Sequence, residues 1–446
     1  MVKSHESRDE KAPALASSLQ VIAFDAAVWG MPIVSMDAMR QAFLRDAQAQ
    51  YNDVLYWSRP ADWRLQLTTP NASAHYAYVN FNCERGPIVV EVPAARAAGL
   101  FGSILDAWQV PQVDVGPHGA DQGKGARYLL LPPDYGGQPR EGYVAVPLRT
   151  FNAYALLRAI PERANPDPAV ALIRQLRIYP LIEADHPPPQ RFIDMSGKLF
   201  DGLVRFDVGF FESLARMIDE EPAYARDAAM LRRIEALGIK KGAGFSRHRI
   251  KDVLTGAARD AQMWLISAAE HNGEPYWPSS TWLAINHVGA RTQFTFEQDG
   301  ELDVQARGQL FFLGCAPPAK LGRASSYLSS FTDAAGELLL HQRNYRLHVP
   351  PAVPATQFWA LTVYNIETAG FVRGAASIER GSLTESLQRN LDGSVDLYIG
   401  RRAPQGKESN WIDSGSAKSW FAMFRFYGPE QALFDKSWLL PDLEQV

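Results

Sequence analysis

The feature that most constrains this chain is a hydrophobic period that changes twice under dense Gly/Pro punctuation. From about residue 62 the apolar residues come in short blocks, such as Ile88-Val89-Val90-Glu91-Val92 and Tyr128-Leu129-Leu130-Leu131, bounded by Gly-Pro or Pro-Pro. Such blocks read as strands joined by turns, and 102–108 and 142–146 read the same way. Between 206 and 272 the spacing turns helical. Phe210, Leu214, Met217 and Ile218 share one face, Ala228, Leu231, Ile234 and Leu237 a second that stops at Gly238, and 250–271 holds a third stripe. After Gly273 strands return, at 294–296, 338–340, 345–349, 358–364, 395–399 and 420–427. An earlier helical pattern covers 15–47, where Gly30-Met31-Pro32 predicts a break into two pieces, because proline lacks the amide and crowds the preceding turn.

With 446 residues, two or three domains are expected. The 45 basic and 49 acidic residues leave a net charge of −4, which favours neither nucleic acid nor an anionic membrane as partner. Cys83 and Cys315 read as two thiols of a reducing compartment, with one disulfide left open. The charged N-terminus lacks a signal-peptide core and no run of eighteen apolar residues occurs, so the expectation is a cytoplasmic protein without a membrane span.

Several chemistries lack their motifs. There is no His-Glu-x-x-His, Cys-x-x-Cys, phosphate loop or Gly-x-Ser-x-Gly elbow. Gly123-Lys124-Gly125 opens onto a strand and reads as a turn, not a dinucleotide site. No cofactor and no metal is therefore expected. Three segments remain. In Thr69-Pro70-Asn71-Ala72-Ser73-Ala74-His75-Tyr76, Asn71 and Tyr76 are candidates for holding a polar ligand and His75 for proton transfer; equally, the polar groups serve the loop backbone. Asp106, set in an apolar strand beside Trp108, is a candidate acid or base with a burial-raised pKa, or the cap of a turn. In 358–365, Trp359 is a candidate wall and Tyr364 and Asn365 candidate ligand contacts, against a core role for the tryptophan and a turn role for the amide. Arg425, inside an aromatic strand, needs a partner, and Glu367 or Glu408 is the expected one.

Together these segments resemble the tandem domains of unknown function numbered 1254 and 1214. Thr69-Pro70-Asn71 with Tyr76, Gly86-Pro87 through Pro93, the strand around Asp106 and Tyr128 through Pro133 match the first. Asn344 to Leu347, Phe358 to Tyr364, Asp392 to Val395, Glu408-Ser409-Asn410-Trp411 and Arg425-Phe426-Tyr427-Gly428-Pro429 match the second. One departure is Ser73-Ala74, where the family has Asp-Thr. The resemblance implies a mainly β protein with a helical insertion: two antiparallel β-sandwich domains, the second jelly-roll-like, and a small helical domain. The expected division is a disordered 1–14, a first β domain over 15–185 with leading helices, helices over 186–272, and a second β domain over 273–446. The functional expectation is a cofactor-independent hydrolase or lyase/isomerase acting on a small, largely apolar or cyclic molecule between the β domains, with His75 and Asp106 transferring protons. The alternative is a non-catalytic small-molecule or carbohydrate-binding protein. Homo-oligomerisation stays open.

Overall fold

The computed structural model describes residues 8–446 except 139, 162–166, 247, 249, 272, 285–291 and 320–324; at 8–17 and 161 it describes the backbone alone. The protein is strand-rich, with two β units and a layer of helices. The first unit stacks a six-stranded sheet, ordered Phe192–Asp194, Val54–Tyr56, His75–Asn82, Asn152–Pro161, Ala98–Asp106, Pro111–Val115, on a four-stranded one, ordered Arg177–Pro180, Ile88–Val92, Ala126–Leu131, Val144–Pro147. Pairing is mostly antiparallel, with parallel pairs toward the sheet edges at Val54–Tyr56 and at Val144–Pro147. The second unit has a five-stranded sheet, ordered Leu283–Ala284, Ser325–Ser330, Trp420–Pro429, Ala355–Asn365, Glu379–Gly381. Its four-stranded partner runs Trp411–Asp413, Val395–Gly400, Tyr345–Val349, Glu444–Gln445.

Strand periodicity decides what each sheet shows to its surroundings, because successive side chains point to opposite faces. In the six-stranded sheet Ala77, Val79, Phe81, Ala155 and Leu157 close a core with Val90, Tyr128 and Leu130 of the four-stranded sheet. The alternate set, Tyr76, Tyr78, Tyr154 and Leu156, belongs to a second, larger core shared with the helices and the second β unit. The molecule therefore has a β unit with two buried faces, one of them an interface.

The N-terminal helix differs from expectation. It runs unbroken from Arg8 to Arg45, so 8–14 is helical and Gly30-Met31-Pro32 lies inside it, while 1–7 falls outside the described residues. Pro32 offers no amide to the Val28 carbonyl, and its ring crowds this turn. Neighbours bond to other carbonyls of this turn. Arg307 Nη2 donates to the Trp29 carbonyl at 2.8 Å and Gln109 Nε2 to the Pro32 carbonyl at 2.8 Å. Both come from packed elements, Arg307 from the helix Val304–Leu313. By length and composition the stretch Ser18–Arg45 is apolar enough to cross a membrane, and 67% of its most apolar window is buried by protein.

The helices Val208–Glu220, Ala228–Ile234 and Lys251–His271 pack on this N-terminal helix, as does Val304–Leu313. Residues 192–201, expected among the helices, instead supply strands that pair with Val54–Tyr56 and Leu65–Gln66 of the first unit. Residues 294–296 are not a strand either: Phe294 and Phe296 take positive φ of 62° and 58° and bury their rings singly.

Candidate functional site

Directly opposed residues of neighbouring strands share a face. In the first unit Arg158 lies opposite Tyr76 on one side and Phe101 on the other. These three form a row on the interface side of the six-stranded sheet. In the second unit Arg425 lies opposite Tyr327 and Ala360, and the adjacent row is Ser325, Tyr427 and Phe358. The two sets of rows face each other across a cavity of about 130 Å³. Its wall includes Asn71, Arg158, Tyr327, Arg425 and Tyr427 among polar groups and Phe101, Leu156, Leu310, Phe311 and Met423 among apolar ones.

The electrostatics are unusual for an interior. Arg425 is buried, donating from Nη1 to Thr362 Oγ1 at 2.8 Å and from Nη2 to the Thr69 carbonyl at 3.0 Å. Its partners are thus neutral oxygens and the rings of Tyr327 and Tyr364, 5.3 and 5.4 Å away, not the expected Glu367 or Glu408. Glu379 acts on it at one remove, accepting from Thr362 Oγ1 at 2.7 Å. Arg158 is enclosed by protein yet keeps accessible surface, because that surface faces the cavity. Its Nε has no partner, and its neighbours are the phenols of Tyr76, Tyr327 and Tyr427. Among the described residues no carboxylate is in ion-pair contact with either arginine.

The segment 69–76 builds the junction. Thr69 takes a positive φ of 42°, which turns its carbonyl to Arg425 while its Oγ1 donates to the Leu313 carbonyl at 2.8 Å. The Pro70 carbonyl accepts from the Tyr364 hydroxyl. The Asn71 amide donates to the Tyr76 hydroxyl at 2.8 Å, its Oδ1 accepts from Ser73 N at 2.5 Å in an Asx turn, and its Nδ2 donates to the Tyr427 hydroxyl. Ser73 Oγ donates to Glu379. A carboxylate at 73 has no proton to donate and would face Glu379 as a like charge, so serine and Glu379 are matched here.

Of the residues singled out from sequence, Asn71 and Tyr76 line this cavity, and Tyr364 touches its wall from behind, through the Pro70 carbonyl and Arg425. The others lie elsewhere. His75 borders a separate open groove, with Nδ1 3.0 Å from the Trp57 carbonyl. Asp106 holds a turn: its Oδ1 accepts from Val110 N at 3.0 Å and its Oδ2 from Gln112 at 3.2 Å, and burial pushes its pKa up to about 6. Trp108 borders another pocket of about 200 Å³ with Trp29, Glu221 and Asp227. The acids there are already used by protein donors. Glu221, which burial pushes up to about 7, accepts from Phe151 N and Asn152 N at 2.7 and 2.9 Å, and Asp227 accepts from Trp29 Nε1 at 3.1 Å. Trp359 lies on the opposite face of its strand from Tyr364, stacked on Phe424 at 5.3 Å within the core. Asn365 is a turn residue accepting from Glu367 N at 2.8 Å. Both cysteines are free, and Cys315, a cavity residue, is pushed up to about 11 by burial. Proton transfer by a His75/Asp106 pair therefore has no geometric basis, since the two do not share a cavity.

The group disposed to ionise is Tyr327, which sequence reasoning missed. Burial alone would raise its pKa, but Arg158 and then Arg425 outweigh it, and Ser325 Oγ donates to its oxygen at 2.8 Å; the net direction is down. Its neighbour Tyr427 moves well up. Of these two neighbouring phenols, Tyr327 is therefore the one that ionises first. Ultraviolet titration of phenolate should show an early step that is absent in Tyr327→Phe and displaced upward in Arg158→Met. The sign follows from linkage: a folded-state pKa below the unfolded value gives stabilisation that is complete above the unfolded value and lost as pH falls through the folded one. Titration without such a step would remove Tyr327 as an acid–base group.

Two β units meeting at a doubly basic, phenol-lined cavity define the architecture. The family model described as "Protein of unknown function (DUF1254)" matches residues 51–180, and that described as "Protein of unknown function (DUF1214)" matches 324–431. The chain belongs to the family that carries these two domains in tandem. No curated protein matches it. Among solved structures it is similar to the VPA0106 protein from Vibrio parahaemolyticus, at 16% identity and a TM-score of 0.55, over 96% of this chain and 99% of that one. A putative uncharacterized protein from Burkholderia cenocepacia aligns at 15% identity and a TM-score of 0.41, over 94% and 88% of the two chains.

Proposed function

We propose that this chain binds a small, largely apolar carboxylate between its two β units and acts on it as an enzyme of hydrolase or lyase/isomerase type. The observation that carries the reading is the pair Arg158 and Arg425, presented by facing sheets to one cavity without a carboxylate partner among the described residues. Buried guanidiniums are ordinarily matched by acids, and their fork geometry suits a carboxylate. The apolar wall suits a hydrocarbon body. In size the cavity is close to the roughly 150 Å³ that admits a benzene ring. Tyr327, between the arginines, is the group suited to proton transfer. The paired sheets of each unit support the reading of two sandwiches, the second jelly-roll-like. A carbohydrate wall has less support, because Trp359 is core.

Calorimetric titration of the full chain with benzoate and with neutral benzamide tests the proposal. Benzoate should bind, benzamide should not, and Arg158→Gln should weaken benzoate by tens- to a thousandfold, the usual result of truncating one side of a buried charged contact. Equal binding of the two compounds, or indifference to Arg158→Gln, overturns it.

A further inference from the structure

Beyond the cavity lies an open groove of about 840 Å³, bordered by His75, Ala98, Ile160, Phe358 and Leu383. Phe101 lines both spaces. The partition between them is thin elsewhere too: Phe358 of the groove stacks on Tyr427 of the cavity at 4.0 Å. Phe101 itself is half-buried, and its ring occupies the space that a side chain at position 99 would fill; a Cβ on Gly99 would stand 2.7 Å from it. Immediately after Phe101 the chain passes through Gly102 at φ +151°, still paired with Val115 on the neighbouring strand, and the register set by Phe101 opposite Arg158 continues at Ile104 opposite Ala155. The half-buried Phe101 ring, with the missing side chain of Gly99 beside it, is thus the partition between the two spaces on a strand paired along both edges.

We propose that groove and cavity are two halves of one site, and that the ligand is an elongated monocarboxylate. Its carboxylate sits on Arg158 and Arg425, and its hydrocarbon body passes Phe101 into the groove. This rests on the carboxylate reading of the cavity and extends it. The cavity holds a head of one ring or a few carbons; a longer molecule anchored there leaves past Phe101. The groove meets it with Ala98, Ile160, Phe358 and Leu383, and its outer rim carries Arg96, Gln357 and Glu385, where the far end reaches water.

Titrating the full chain with acetate, butanoate, hexanoate and octanoate tests this. Affinity should rise about three- to fourfold per methylene, the effect of burying each one in an apolar wall. Leu383 is 55% exposed, so Leu383→Asp is compatible with folding. It should flatten that rise for the longer members and leave butanoate unchanged. Arg158→Met should weaken every member alike. If short carboxylates bind through Arg158 but affinity is flat with chain length, or Leu383→Asp has no effect on the slope, the groove is not part of the site while the cavity reading stands. If no member binds in an Arg158-dependent way, both readings fall.

Discussion

Arg158→Met is expected to raise the melting temperature of the ligand-free protein while weakening carboxylate binding by tens- to a thousandfold. Two opposed effects decide the sign. Arginine contributes a hydrogen bond with the Tyr76 side chain and a weak cation–π contact with its ring, 5.8 Å from the centroid, the latter worth about 0.5–1 kcal/mol. Against this stand a guanidinium enclosed by protein without a carboxylate, an Nε without a partner, and a second guanidinium on the same cavity. Replacing buried ionic groups by apolar side chains of similar volume is commonly neutral or stabilising by about 1–4 kcal/mol. Partial access to the cavity lowers the desolvation cost, so roughly 1–2 kcal/mol is the expected gain. A residue retained for the fold behaves in the opposite way: its loss lowers stability. Thermal melts with and without benzoate therefore separate the two roles. In the wild type benzoate raises the melting temperature; in Arg158→Met the baseline is higher and benzoate raises it far less. A lower baseline in the variant marks Arg158 as structural.

How legible this was in the sequence depends on the distance over which each fact is decided. The strand at Ala355–Asn365 was visible from its residue types, because β-branched and aromatic side chains fill it. Period two told apart the two sets Trp359/Leu361/Val363 and Phe358/Ala360/Thr362/Tyr364 but not which of them faces the core. That is settled by the four-stranded sheet packed on the first set and by the first β unit packed on the second. The cavity was half visible. The segment from Thr69 through Asn71 and Ser73 stood out for its density of polar groups, and these turn out to tie the two units together: Thr69, Pro70 and Asn71 bond to Arg425, Tyr364 and Tyr427, and Ser73 to Glu379. Arg425 stood out as a charge in an aromatic strand. Arg158 gives the same signal, a lone arginine in Leu156-Leu157-Arg158-Ala159-Ile160. Asp106 gives it too, and there the charge only holds a turn. The signal marks a buried ion without saying whether a neighbour or a ligand answers it. Pro32 fails for a different reason. The proline does remove a helical hydrogen bond, as the sequence predicts, but the helix continues through it, packed against elements far along the chain whose Gln109 and Arg307 bond to the Pro32 and Trp29 carbonyls.

The close packing at that turn sets up a contrast between two glycines. Gly308 and Gly256 both lie inside helices, Val304–Leu313 and Lys251–His271. Helix propensity alone makes alanine better at both by up to about 1 kcal/mol. Their surroundings differ. A Cβ at Gly256 would find only Gln20 Nε2, 3.7 Å away, so Gly256→Ala should stabilise the protein by up to about 1 kcal/mol. A Cβ at Gly308 would stand 2.8 Å from the Val28 carbonyl oxygen and 2.9 Å from Val28 Cγ1, closer than real Cβ atoms come. The helix cannot retreat from this contact, because the next residue back, Arg307, is fixed to the Trp29 carbonyl and buried. Overpacking of this kind costs roughly 1–3 kcal/mol, which exceeds the propensity gain. Gly308→Ala should therefore destabilise, and Gly308→Val, which adds two branches at the same point, should cost about 3 kcal/mol or more. Denaturant unfolding of the three variants checks the pattern. Stabilisation by alanine at both positions would mean that the helix Val304–Leu313 does not press on the proline turn.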